Sequence, residues 1–315
     1  MAIRFDRGNM LNRRAFVLTG GAFLAQAGVS HGRAPASGAG GLVPPDPAIA
    51  AYEAQSGGHI GFYAQNLRSG ASLAWRADER FVMCSTFKAS LAAFVLWHVD
   101  HGREKLDASI PFGPAQVPDW WAPVARANLG RGAMTVREMC AAAVEQSDNT
   151  CANLLLERMG GPAALTAFWR RMGEPQTRLD DVEPELNRTP PGGLRNTTTP
   201  RAMAHVLRQI VLGPVLSGPS RALLRQWLLG CKTGANRLRA GLPAGWAIGD
   251  KTGNNGHDAA GDIALVWPRP DVPLVICAYT RGGSPDEAQL RAVFASIGRL
   301  VAGGLAAGGL AAVRG

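Results

Sequence analysis

The chain has 315 residues, 46% of them hydrophobic and 18% charged, with a formal net charge of +9. That is enough apolar material for a sizeable core, and it excludes a disordered or fibrous chain. The basic residues are scattered, with no dense tract and no nucleic-acid-reading motif, so no nucleic-acid partner is expected. The five cysteines (84, 140, 151, 231 and 277) form no Cys-x-x-Cys pair, and His98 and His101 share a helix face without a third ligand, so neither metal nor cofactor is implied.

In chain order, residues 1–27 read as an export signal. Arg13-Arg14 precede the apolar stretch Ala15–Ala27, and Ala25-Gln26-Ala27 offers a small-x-small cleavage site. The pattern resembles a twin-arginine signal, which directs the chain to the periplasm or the exterior. The apolar stretch is too short and glycine-rich to span a bilayer, so no stable membrane association is expected. Residues 28–45 are rich in Gly, Ala, Ser and Pro and read as a flexible linker. Asp46-Pro47 opens a helix that Gly57-Gly58 ends. His59–Leu67 and Ser72–Ala77 read as a hairpin around Arg68-Ser69-Gly70.

The stretch Cys84-Ser85-Thr86-Phe87-Lys88 opens the next helix. Ser85 and Lys88 lie one turn apart on one face, so the lysine can reach the serine hydroxyl and help accept its proton. Alone, the pair reads more readily as a helix-capping serine followed by a solvated lysine. The following run Ala89–Val99 is apolar nearly all round, however, which marks a buried helix, and an unpaired buried charge is costly.

Downstream, Pro111, Pro114 and Pro118 mark a loop that leads to Trp120-Trp121. Thr135-Val136-Arg137-Glu138 is a capping box. Ser147-Asp148-Asn149 separates that helix from the helix Thr150–Met159; Pro162 then opens another to Met172. Gly173–Thr199 is long, polar and aperiodic, and a loop of that length inside a compact domain is usually functional. Pro200–Leu212 and Ser220–Leu229 are helical. Trp246–Gly253, Asp262–Trp267 and Leu274–Thr280 read as antiparallel strands joined by Asn254-Asn255-Gly256 and by the turn Pro268–Pro273, before a final helix Pro285–Val301. The fold class is therefore α+β, an α/β sandwich with an antiparallel sheet. The sheet domain is built from both chain ends (46–83 and 229–315) around an inserted all-helical domain (84–228).

Four motifs stand in order: Ser85-x-x-Lys88, Ser147-Asp148-Asn149, Glu183-Pro184-Glu185-Leu186-Asn187 and Lys251-Thr252-Gly253. The first, second and fourth resemble the penicillin-binding and serine β-lactamase superfamily, and the third resembles the Ω-loop of class A β-lactamases, here about 174–199. The resemblance covers nearly all of the chain after the signal. It implies a hydrolase acting on small-molecule β-lactams with water as co-substrate, without metal or cofactor, as a monomer, and conferring β-lactam resistance. It implies that Ser85 forms an acyl-enzyme, with Lys88 or Glu183 as the base for acylation. Glu183 would activate the deacylating water, with Asn187 helping to hold it. Ser147 would pass a proton to the lactam nitrogen, Asn149 would bind the substrate's side-chain amide, and Lys251 and Thr252 its carboxylate. Gly253 completes the Lys-Thr-Gly strand end, and the backbone N–H groups of Ser85 and Asn254 would form the oxyanion hole. Trp121 falls where the family carries an aromatic residue at the pocket mouth; a core or surface tryptophan is the other reading.

The chain also departs from the family. Asp181 and Asn196 stand where many members have an arginine–aspartate pair pinning the Ω-loop; these two residues can form a hydrogen bond but not the ion pair, which leaves the rigidity of the loop and the placing of Glu183 open. The Glu183-Pro184 bond is a candidate cis peptide. No arginine follows in the strand Gly261–Leu265, and Arg237 stands where other members place a substitute carboxylate-binding arginine. Asn255 and Ala92 occupy the expected partner positions of Cys84 and Cys140, so neither family disulfide is expected. A D-alanyl-D-alanine peptidase shares three of the motifs but lacks the deacylating glutamate, and an antibiotic sensor would normally be attached to a membrane-spanning segment.

Overall fold

Two short segments fix the frame on which the site is built: an N-terminal hairpin and a C-terminal run of three strands that close on each other. The structure is a computed structural model describing residues 46–117, 121–190 and 192–306. The export signal read over 1–27, the linker over 28–45, and Pro118 and Trp120 lie outside the described residues. By its contacts the chain divides into Met1–Ala39, outside the described residues, and Gly40–Gly315.

The elements run α1 (Pro47–Ser56), β1 (His59–Asn66), β2 (Ser72–Trp75) and β3 (Phe81–Val82), then a 3₁₀ turn Cys84–Thr86 that enters α2 (Phe87–Asp100). β4 (Ser109–Pro111), α3 (Pro123–Ala127), β5 (Ala133–Thr135), α4 (Val136–Glu145), α5 (Asn149–Arg158) and α6 (Gly161–Arg171) follow. After the 173–199 loop, whose end carries β6 (Thr197–Thr198), come α7 (Pro200–Val211), α8 (Gly218–Leu229), β7 (Ala247–Asn254), β8 (Ala260–Arg269), β9 (Val272–Arg281) and α9 (Glu287–Val301).

The main sheet has the order β2-β1-β9-β8-β7, antiparallel throughout, so the N-terminal hairpin pairs with the last strand. Side chains alternate across a strand. Leu274, Ile276 and Ala278 of β9 face α1 and α9, whereas Val275, Cys277 and Tyr279 face the helices that carry the site. Both faces are covered, which explains why β8 and β9 read as nearly continuous apolar runs. α2 is the buried axis of the helical layer: every residue from Phe87 to Leu96 is buried, Lys88 included.

Several boundaries differ from the sequence reading by a residue or two, and three of the differences have a clear physical cause. β8 runs through Pro268 to Arg269 and β9 begins at Val272, leaving a shorter turn than Pro268–Pro273. A register shift between Val266 and Arg269 accommodates Pro268, which has no N–H to donate. α9 begins at Glu287 behind an Asp286 cap, with Pro285 outside it. Ser85 lies in a 3₁₀ turn rather than in the α-helix proper, because Cys84 holds a left-handed φ of 45° that breaks the chain direction just before it.

The 3₁₀ turn Leu238–Gly241, which follows Arg237, lies directly on α9. A Cβ added at Gly241 would overlap the Ala295 carbonyl, and one at Gly298 would overlap that of Leu238. Gly241→Ala is expected to lower stability in urea unfolding by about 1–3 kcal/mol through overpacking. Gly245→Ala, where no atom lies within 4 Å of the added carbon, serves as the near-neutral control.

Candidate active site

Ser85 is 8% exposed on the floor of a cavity of about 380 Å³. Trp121, Ser147, Asn149, Glu183, Asn187, Arg237, Thr252, Gly253 and Asn254 share its lining, and Lys88 and Lys251 are buried in its wall. The fold thus brings together the site residues that the sequence singled out, from the 3₁₀ turn and α2, the segment before α3 (Trp121), the α4–α5 turn, the 173–199 loop, the α8–β7 connection (Arg237) and β7.

At the centre, the Ser85 hydroxyl donates to Glu183 Oε1 at 2.7 Å, and Lys88 Nζ lies 3.1 Å from the same oxygen. Lys88 also donates to the Ser147 carbonyl at 2.9 Å and to Asn149 Oδ1. The spacing of Ser85 and Lys88 led us to expect a direct contact; instead both groups converge on the carboxylate. Burial raises the proton affinity of Glu183, but the Lys88 charge and the donors from Ser85, Lys88 and Asn187 outweigh it and hold the carboxyl below its usual range. Burial pulls Lys88 below an ordinary ammonium, with Glu183 opposing the shift.

Glu183 is held from several sides. Asn153 brackets its backbone, accepting from the Glu183 N–H at 3.0 Å and donating to its carbonyl at 2.8 Å. Asn187 Nδ2 donates to Oε2 at 2.6 Å, and Asn187 Oδ1 is buried without a partner. The Glu183-Pro184 bond is cis. The loop around it is tied through Asn196. Asn196, in a left-handed conformation with φ 55°, accepts from the N–H groups of Asp180 and Asp181 at 2.9 and 3.0 Å and donates to Asp181 Oδ2 at 2.8 Å. Asp181 also pairs with the neighbouring Arg195, and Asp180 with Arg178. Asp181 thus makes an ion pair with Arg195 and a hydrogen bond with Asn196.

The Ser147-Asp148-Asn149 turn owes its shape to the buried Asp148. One carboxylate oxygen caps α5 by accepting from the Cys151 N–H at 2.9 Å. The other accepts from the N–H groups of Val124 and Ala125 at 2.9 and 3.0 Å. Ser147 takes a left-handed φ of 59°, and its hydroxyl accepts from Lys251 Nζ at 2.9 Å. Trp121 is 59% exposed at the cavity rim, yet its indole N–H donates to the Gln146 carbonyl at 2.7 Å, which ties the ring to the same turn.

On β7, burial brings Lys251 down to about 8. Thr252 Oγ1 meets Thr233 Oγ1 at 2.5 Å. Gly253 is required by close approach: a Cβ there would lie 2.9 Å from Cys84 Cβ and Met83 O and 3.0 Å from Ser85 N. Arg237 is 6% exposed, its guanidinium 4.9 Å from the Phe294 ring centroid and its Nη1 without a partner. A buried guanidinium with a free donor in a cavity wall suits an anionic ligand group.

The sequence reading missed Asn153, Thr233 and the pair between the half-buried Arg239 and the buried Asp250. Asn153 lies four residues after Asn149 on one helix, and that spacing was a usable signal; Thr233 and Arg239 carried none. All five cysteines are buried free thiols. Among the described residues no group of three or more His, Cys, Asp or Glu could hold a metal ion. His98 packs edge-on against Phe94, and His101 packs on Trp97.

Comparison with known proteins supplies the family. The "Beta-lactamase enzyme family" model matches residues 44–305. The chain is 46% identical over 263 residues to the carbapenem-hydrolyzing β-lactamase KPC of Klebsiella oxytoca, covering 83% of this chain and 89% of that protein. It is 42% identical over 299 residues to β-lactamase L2 of Stenotrophomonas maltophilia, covering 92% and 98%. Among solved structures, an ancestral Gram-negative class A β-lactamase superposes with a TM-score of 0.77 at 51% identity, over 80% of this chain and 96% of that one. Motifs, antiparallel fold and relatives agree: the chain belongs to the class A serine β-lactamases.

Proposed function

We propose that the protein opens the β-lactam ring through a Ser85 acyl-enzyme that Glu183 hydrolyses. The observation that carries this reading is the convergence of the Ser85 hydroxyl and the Lys88 ammonium on one buried oxygen of Glu183, at 2.7 and 3.1 Å. A carboxylate held ionised next to a hydroxyl accepts its proton, directly or through a water. The serine oxygen then bonds to the lactam carbon. The negative charge moves to the carbonyl oxygen, facing the N–H groups of Ser85 and Asn254.

On collapse the C–N bond breaks, and the nitrogen takes its proton from Ser147, whose hydroxyl is bonded to Lys251. Lys88 and Lys251 border the same turn, so either can return that proton to Ser147, and the proton that Glu183 took from Ser85 passes to Lys88, 3.1 Å away, which leaves Glu183 ionised for the second half. In the second half Glu183 takes a proton from water, whose oxygen attacks the ester carbon, and Ser85 leaves with a proton. Asn187, whose Oδ1 lacks a partner, suits holding that water. The substrate carboxylate would lie on Lys251, Thr252 and Arg237. Asn149 spends its oxygen on Lys88, which leaves its NH₂ for the carbonyl of the substrate side chain.

The same reading treats the site as the seam between the sheet part (46–83 with 229–315) and the helical part (84–228), with 174–199 acting as the Ω-loop. It also takes residues 1–27 as a twin-arginine signal delivering a monomer to the periplasm. No helix among the described residues is long and apolar enough to cross a membrane.

Intact-mass spectrometry after mixing with benzylpenicillin tests the two-step route. Glu183→Ala is expected to accumulate a covalent adduct that persists about 10²–10⁴-fold longer than in the native chain. Ser85→Ala is expected to form none; equal adduct lifetimes in Glu183→Ala and native protein would refute the role of Glu183. A second expectation concerns pH. Lys251 is cationic below about 8 and neutral above it, so kcat/KM should fall on a basic limb near pH 8. Lys251→Arg should move that limb upward, because a guanidinium stays protonated there; an unmoved limb would assign it to another group.

A further inference from the structure

The segment Asn255–Ala259, linking β7 to β8, is wound around one side chain. Asn255 Oδ1 accepts from the backbone N–H groups of His257 at 2.9 Å, Asp258 at 3.1 Å and Ala259 at 3.0 Å. Its Nδ2 donates to Asp258 Oδ1 at 2.9 Å, and its backbone N–H donates to the Ala259 carbonyl at 3.0 Å. The other oxygen of Asp258 accepts from the Gly282 N–H at 3.0 Å, tying the loop to the end of β9. Asparagine in a turn commonly satisfies a backbone group nearby. Here a single carboxamide gathers three N–H groups and is fixed at its other end by a carboxylate.

This internal bonding adds to the strand pair Asn254–Ala260 at the loop's mouth and to the Gly256 N–H, which donates to Asn254 Oδ1 at 2.6 Å. Asn255, Asp258, Ala259 and Gly282 line a second cavity of about 360 Å³ on its far side. On its near side it meets the nucleophile turn, with Cys84 Sγ 3.8 Å from the Ala259 carbonyl, and the strand end at Gly253 leaves no room for a Cβ against Met83, Cys84 and Ser85. Asn255 directly follows Asn254, the last residue of β7.

We propose that Asn255 is a positioning residue for the oxyanion hole. By fixing the β7–β8 loop from within, it sets the Asn254 N–H relative to that of Ser85. This rests on the reading of those two N–H groups as the oxyanion donors. The side chain takes no part in the chemistry itself.

The test uses the full mature chain. The carbonyl stretch of the benzylpenicilloyl ester, measured by infrared difference spectroscopy, reports how strongly the oxyanion donors polarise it. In a Glu183→Ala background, adding Asn255→Ala is expected to shift this band to higher frequency and broaden it. In the otherwise native chain Asn255→Ala is expected to lower kcat/KM about ten- to a hundredfold, less than the roughly 10²–10³-fold of losing a donor outright.

Asn255→Asp keeps the acceptor but sets a carboxylate against Asp258, and is expected to be impaired as well. The exchange Asn255→Asp/Asp258→Asn restores a donor–acceptor pair and every backbone bond, and is expected to recover both the band and the rate. An unchanged band with kcat/KM within twofold of native, whatever happens to the melting midpoint, would reduce Asn255 to a loop-stabilising residue and overturn the proposal. If Glu183→Ala accumulates no adduct, that counts against Glu183 as deacylating base, and kcat/KM of the Asn255 variants in the native background then decides the present inference.

Discussion

A fully buried ammonium is the constraint around which the rest of this molecule is arranged. Lys88 enters a buried helix whose residues up to Leu96, Ser90 apart, are otherwise apolar, and burying a charge without partners is prohibitive. Its partners are a carboxylate from the 173–199 loop, a backbone carbonyl from the α4–α5 turn and the side-chain oxygen of Asn149. Two remote segments, the 173–199 loop and the α4–α5 turn, are thereby drawn to one point beside Ser85. Removing one member of such a buried pair typically costs about 3–5 kcal/mol, because the other is left uncompensated. The charge that orders the site also keeps Glu183 ionised, so structural and chemical demands meet in the same atoms.

Around that point the protein repeats one device: short polar side chains whose oxygens accept from backbone N–H groups. Asn153 brackets Glu183, Asp148 ties α5 to α3, Asn196 gathers Asp180 and Asp181, and Asn255 gathers the β7–β8 loop. Each holds a segment that lacks regular hydrogen bonding of its own, and each does so next to a group proposed to act on substrate. Side-chain amides and carboxylates suit this because one oxygen can accept several N–H groups.

The sequence was readable wherever a local signal sufficed. Asp46-Pro47 and the Thr135–Glu138 box predicted their helices, and an apolar run bounded by turn residues predicted β9, because caps, runs and turns are local. The motif residues were visible because they come as short strings. Among the acids of the long loop, spacing alone did not separate Glu183 from Asp180, Asp181 and Glu185; family resemblance did. The physical difference is tertiary: Asp180 and Asp181 turn to arginines, whereas Glu183 is 1% exposed against Lys88. Thr233 against Thr252, and Arg239 against Asp250, were illegible for the same reason. So was the pairing of Asp181 with Arg195, the neighbour of Asn196 in sequence.

The most direct test of this account is a ¹³C NMR titration of the Glu183 side-chain carboxyl, assigned through Glu183→Gln, in the native chain and in Lys88→Met. If the ammonium sets the site, Glu183 titrates below the ordinary carboxylate range in the native protein. In Lys88→Met it moves upward, because the burial remains and the opposing charge is gone. A native Glu183 that takes up its proton near neutral pH, or one whose titration ignores the loss of Lys88, would contradict the account.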